Sequence, residues 1–175
     1  MFWSLKDSLL IGWGVRVEPA LLEAALASRP ALLSVSFGED WSWVERARGS
    51  GSVTATQVAD LDGALRAVDA GVAVLVARGA EGGGHGQPLR GTLPLLRELL
   101  ERVDVPVLAA GGIASGRSLA AALAAGASGA WIGTAFAACR ESTLSDAARE
   151  AMIAADGTDT VVTRAFDIAL GYPWP

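Results

Sequence analysis

Val105-Pro106-Val107-Leu108-Ala109-Ala110-Gly111-Gly112-Ile113-Ala114-Ser115-Gly116 is the stretch whose reading decides the fold. An apolar run ends in two glycines, and Ser115 then offers the side chain of an ordinary helix N-cap. The apolar residues are continuous rather than alternating, as in a strand buried on both faces of a parallel sheet. The same design occurs twice more. Upstream, Val72–Ala77 runs into Arg78-Gly79-Ala80-Glu81-Gly82-Gly83-Gly84-His85-Gly86-Gln87. Downstream, Gly129–Ile132 runs into Gly133-Thr134-Ala135-Phe136.

Working outward, further strands are expected at Leu9–Trp13, Ala31–Phe37 and Ser52–Val58. With Val72–Ala77, Val105–Ala110 and Gly129–Ile132 they make six. Apolar residues at i, i+3, i+4 spacing predict helices over Pro19–Ala27, Leu61–Ala70, Leu93–Arg102 and Ser118–Ala125. Pro19 suits a first helical turn. Ala70-Gly71 and Ala125-Gly126 suit left-handed helix ends. Strand and helix alternate, so the class is α/β with a parallel sheet. An open doubly wound sheet would carry its glycine signature after the first strand. Here the special glycines follow the last three strands, where a (β/α)₈ barrel places its phosphate site. The expected fold is therefore a TIM-type barrel comprising residues 1–175 as one domain. Such a barrel needs eight strands and about 200 residues or more. Six strands in 175 residues make it incomplete, by about two βα units.

Composition narrows the function. Apolar residues make up 51% of the chain, so a disordered tail is excluded. The net charge is −5 and the basic residues are scattered, which argues against a nucleic-acid partner. The single cysteine cannot form an internal disulfide and suits a reducing cytosol. It is expected to pack as a small buried group. No apolar run has the length of a membrane span, and the start lacks a signal-peptide pattern. A soluble, cytoplasmic protein is expected. No His, Cys and carboxylate cluster has metal-ligand spacing, so no metal is expected. Trp3, Trp13, Trp41 and Trp43 are expected to be packing or surface aromatics. Asp60, Asp62 and Asp69 are expected on a solvated helix face. Gln57 is expected to make a turn hydrogen bond, although its place would let it reach a ligand ring.

Three glycine turns carry the chemistry. Gly82, Gly83 and Gly84 let the backbone approach a flat ligand without Cβ interference. They also bring His85, the one histidine of the chain, beside that ligand. Histidine can accept a proton near neutral pH and so suits general-base work. A flexible glycine loop with an incidental histidine is the bland alternative, weakened by the strand directly before it. Gly111 and Gly112 precede a helix whose freed N–H groups and dipole bind phosphate without basic side chains. Gly133 and the Thr134 hydroxyl can hold other phosphate oxygens. The pairing of two such turns on successive strands is more specific than either alone.

In order and spacing, Gly79-x-Glu81-x-Gly83-Gly84-His85, Ala109-Ala110-Gly111-Gly112-Ile113 and Gly133-Thr134-Ala135-Phe136 with Glu141-Ser142 resemble the nitronate monooxygenase (2-nitropropane dioxygenase) family. Thr160-Val161-Val162-Thr163-Arg164 is similar to a further family segment. The resemblance runs from about Leu32 to Trp174. It implies an FMN-bound (β/α)₈ barrel that oxidises alkyl nitronates with O₂. It further implies that Gly83, Gly84, Gly111, Gly112, Gly133 and Thr134 touch FMN or its phosphate, and that His85 is the catalytic base. A related FMN-dependent enoyl-thioester reductase uses a nicotinamide donor. This chain has Gly82 where the family usually has Ala, and Gln87 where it usually has Gly. The family's first two βα units, with a Pro-Met turn beside the flavin, find no match here. Two readings follow: an FMN-dependent enzyme, or a non-catalytic fragment keeping the phosphate-binding half. The six-stranded arc is also expected to leave open edges through which the chain self-associates.

Overall fold

The computed structural model describes residues 8–12, 19–85 and 90–171. Six strands form one sheet in sequential order: β1 (Ser8–Gly12), β2 (Leu32–Ser36), β3 (Val53–Val58), β4 (Val74–Arg78), β5 (Val107–Ala110) and β6 (Gly129–Ala130). Every neighbouring pair is parallel. A parallel pair cannot be joined by a tight hairpin. The connections are accordingly helical: α1 (Pro19–Ala27), α2 (Ser42–Gly49), α3 (Leu61–Asp69), α4 (Thr92–Leu100) and α5 (Gly116–Ala124). Beyond β6 lie α6 (Thr134–Ala137), α7 (Asp146–Ala154), a 3-10 turn at Gly157–Asp159 and α8 (Ala165–Leu170).

The five crossover helices share one core. Leu22 of α1, Trp43 of α2, Ala64 of α3, Leu95 and Leu99 of α4 and Ala122 of α5 belong to a single apolar cluster. The strands give that cluster Leu33, Val35, Val58, Leu75, Ala77, Val107 and Ala109. These alternate along each strand, so they come from one face of the sheet. In a doubly wound sheet the helices would be split between two faces. Here they cover one, which is the arrangement of a barrel wall. Among the described residues the fold is thus a six-stranded arc of a TIM-type (β/α) barrel. By the strand registers, Ser34, Ala55, Val74, Val76, Arg78, Leu108 and Ala110 turn to the opposite face, the inner side of the arc.

Several expectations need correction. A helix between β2 and β3 was not expected, yet α2 occupies that span. Its buried stripe is only Trp43, Val44 and Ala47 among charged residues, too narrow to stand out in sequence. Asp60 is not part of a solvated face: it is the N-cap of α3, its Oδ1 accepting from the Gly63 N–H at 2.7 Å. Cys139 is half-buried rather than buried, with Sγ 3.7 Å from Ala135 O beside the exposed α6. β6 ends at Ala130, before the expected Ile132, although Trp131 N–H still donates to Ala109 O at 2.8 Å. Trp43 is 1% exposed in the core and Trp41 packs against that core, whereas Trp3 and Trp13 lie outside the described residues. Gln57 lies within β3 and is half-buried, and its backbone N–H donates to Ser36 Oγ at 3.1 Å. Among the described residues no helix is long and apolar enough to cross a membrane.

Candidate functional site

Each of β4, β5 and β6 delivers its glycine turn at its carboxyl end, and the strands are neighbours in the sheet. Arg78 closes β4 and pairs in register with Ala110, the last residue of β5. Gly79 N–H then donates to Ala110 O at 2.9 Å, so the first turn leaves the sheet tied to the second.

The tie continues through side chains. Glu81 Oε2 accepts from the Thr92 N–H and from the Thr92 hydroxyl, both at 2.8 Å. Thr92 opens α4 and is 4% exposed. Its Oγ1 also lies 3.3 Å from Ala110 O and 3.2 Å from Gly111 O. Burial pushes the Glu81 carboxyl upward. Hydrogen bonds from its own backbone and from Thr92 outweigh that and hold it below its usual value.

This packing explains one of the expected glycines differently. A side chain at Gly111 would come within 2.6 Å of Thr92 Oγ1 and 2.8 Å of Gly82 N, and its φ is +119°. Glycine is required there by the protein's own contacts and by the left-handed backbone. Gly112 backs onto Glu81, whose Cβ would lie 3.3 Å from an added methyl. Gly83 faces Thr134: a Cβ there would meet Thr134 Oγ1 at 2.9 Å. The three turns therefore meet on one rim. Around an added Cβ at Gly84 or Gly133 there is open space to 4 Å, and both residues are exposed. The site is thus tightly packed at Gly111 and open at Gly84 and Gly133.

Arg78 was quoted from the sequence without a role. It is 7% exposed, and its Nη2 reaches Gly82 O, Gly83 O and Gly84 O at 3.2, 3.3 and 3.3 Å. The two N–H donors of this one nitrogen are shared among the three carbonyls, so Arg78 gathers the triple glycine from below. Burial lowers its pKa from the ordinary arginine value. Nothing in the strand pattern signals this, because the residue follows the expected strand Val72–Ala77 and heads a glycine-rich turn.

His85 sits at the end of the described part of the loop. Its Nδ1 is 2.5 Å from Asp167 Oδ1, and the two side chains are 43% and 16% exposed. Asp167 belongs to α8 and was not anticipated. The only sequence signal near it is the Thr160–Arg164 resemblance three residues before. Gln87, which stands where the family usually has Gly, lies outside the described residues together with Gly86. Among the described residues no group of three or more His, Cys, Asp or Glu could hold a metal ion.

Comparison with known proteins places this geometry. Residues 11–171 match the sequence profile of a family described as nitronate monooxygenase. A probable nitronate monooxygenase of Staphylococcus aureus (strain JH9) is 41% identical over 122 residues, covering 65% of this chain and 34% of the relative. The chain thus spans about a third of the length of that curated relative. FabK from Thermotoga maritima superposes with a TM-score of 0.82 at 31% identity, over 90% of this chain and 50% of that one. The nitroalkane oxidase from Streptomyces ansochromogenes superposes with a TM-score of 0.76 at 36% identity, over 84% of this chain and 46% of that one.

Proposed function

The chain belongs to the nitronate monooxygenase family, and on that premise we propose that it serves FMN-dependent oxidation of small alkyl nitronates by O₂. The observation that carries the proposal is the meeting of three strand-end glycine turns on one rim, with His85 on the first of them. The likeness to a nitroalkane oxidase supports the substrate class.

The residues present fit the phosphate end of FMN. The open side of the rim at Gly84 and Gly133 is space that side chains would fill. The first-turn N–H groups of a helix have no partners within it, and two helices start beside these turns. Gly111, Gly112, Gly133 and Thr134 would hold the phosphate, and Gly83 and Gly84 would lie along the flavin. Backbone donors suffice for this, in keeping with a chain of net charge −5. If bound, FMN would supply the redox chemistry between the nitronate and O₂. His85 supplies proton chemistry: it removes the α-proton when the substrate arrives as the neutral nitroalkane. Arg78 and Glu81 do not touch substrate in this scheme; they fix the loop that carries His85.

The test separates base from scaffold. In FMN-loaded protein, His85→Asn is expected to slow oxidation of neutral nitroalkanes by about 10²–10⁴-fold. Oxidation of preformed nitronates, which need no base, is expected to change little. Equal loss on both substrates would mean that His85 positions ligand rather than moving protons. Oxidation of a nicotinamide donor with no nitronate consumed would favour the enoyl-thioester reductase-like alternative. The proposal includes a cytoplasmic setting, motivated by the single cysteine. It also includes self-association, because among the described residues β1 pairs only with β2 and β6 only with β5. Unpaired strand edges invite pairing with a second copy.

A further inference from the structure

We infer that Asp167 is the positioning residue for His85, holding its imidazole as the Nδ1–H tautomer so that Nε2 carries the lone pair that accepts a proton. The inference rests on the reading of His85 as a base and names what equips it for that task.

Three observations carry it. The first is the contact itself: Nδ1 and Oδ1 are 2.5 Å apart, between residues 82 positions distant in sequence. An ionised carboxylate only accepts hydrogen bonds, so the ring nitrogen facing it must carry the proton. Fixing the proton at Nδ1 leaves Nε2 as the basic nitrogen.

The second is how α8 is turned. Phe166 and Ile168, on either side of Asp167, are 73% and 72% exposed, whereas the Asp167 side chain is 16% exposed. A helix docked for packing alone turns its apolar residues inward. This one presents a carboxylate to the site and leaves its large apolar neighbours in solvent. Two salt-bridged aspartates elsewhere keep most of their exposure: the side chain of Asp62 is 88% exposed and that of Asp146 is 83% exposed. Withdrawing a carboxylate from water costs free energy unless a partner compensates. Here the compensating partner is His85.

The third is the support under His85. It follows three glycines, which carry no side chains to brace the loop, and Arg78 grips their carbonyls from the strand side. Arg78 fixes the backbone of the loop. Asp167 reaches the ring itself. This is the division of labour in a base whose orientation is set by a third group.

The experiment uses the whole chain and needs no flavin. His85 is its only histidine, so the two ring nitrogens give an unambiguous pair of ¹⁵N signals. In alkaline solution, where imidazole is neutral, long-range ¹H–¹⁵N correlation reports which nitrogen bears hydrogen. Wild type is expected in the Nδ1–H form. Asp167→Asn keeps the shape but can offer an amide N–H to Nδ1, and is expected to shift His85 toward the Nε2–H form. A wild-type imidazole in the Nε2–H form would overturn the proposal, as would a tautomer unchanged in Asp167→Asn. The wild-type spectrum decides even if the variant folds poorly. In FMN-loaded protein, Asp167→Asn is further expected to slow neutral nitroalkanes by about tenfold or more while sparing preformed nitronates. Failure of wild type to oxidise either substrate would count against the functional reading alone, since the tautomer is read without substrate or flavin.

Discussion

Glu81 shows what a single residue does for the rim. Its carboxylate takes two hydrogen bonds from Thr92, and Thr92 in turn fills the space that Gly111 leaves. One ionised group thus joins the β4 turn, the start of α4 and the β5 turn. The folded-state pKa of Glu81 lies below its ordinary value of 4.5. A carboxyl with a lowered folded pKa contributes stability that is fully present above the unfolded value and is lost as pH falls through the folded one. Glu81→Gln keeps an acceptor but loses the charge. It is expected to cost about 1 kcal/mol near pH 7, because bonds to a charged group are worth about 1.5–3 kcal/mol before solvent screening of this exposed side chain is allowed for. The cost is expected to shrink toward pH 3, and urea unfolding of both proteins at the two pH values checks it. A difference that does not change with pH would show that the Glu81 charge contributes nothing. In sequence Glu81 was legible only as a letter between glycines. Its partner is eleven positions away at the start of a helix, and no local pattern links the two. Asp167 was hidden for the same reason, since its partner His85 is 82 positions away. The glycines and His85 were legible because each follows a strand whose apolar run is unbroken.

The elements were legible in proportion to their apolar pattern. Pro19–Ala27 was expected as a helix and is α1 to the residue. The six strands fall within a residue or two of their apolar runs, since a parallel strand buried on both faces advertises itself. α2 buries three residues among charges, and α8 leaves Phe166 and Ile168 in solvent, so neither shows a clear stripe. Caps fared unevenly: Ser115 was read correctly, and Asp60 was taken for a surface charge. Ser115 Oγ accepts from Ser118 N–H, and Ser118 Oγ accepts from Ser115 N–H at 3.0 Å, a reciprocal capping box. α5 buries only Ala122, so little packing is available to hold it. Ser115→Ala is therefore expected to destabilise the chain by about 1 kcal/mol. Thermal unfolding should register this as a midpoint lower by about 2–4 °C. An unchanged midpoint would mean that the strand-side contacts of the β5 turn hold the start of α5 without the cap.

At the scale of the molecule, glycines placed after late strands pointed to a barrel, and the helices gathered on one face of the sheet agree. The position of α8 over His85 could not be read from sequence, because it depends on where the chain travels after β6. The central proposal is that this arc carries a phosphate rim for FMN on β5 and β6. Phosphate recognition should then dominate whatever affinity the chain has. Parallel titrations with FMN and with riboflavin, which lacks only the phosphate, measure this directly by quenching of flavin fluorescence. The account predicts that FMN binds at least about tenfold more tightly than riboflavin, a difference of about 1.4 kcal/mol. Equal affinity for the two, or binding of neither, would contradict it.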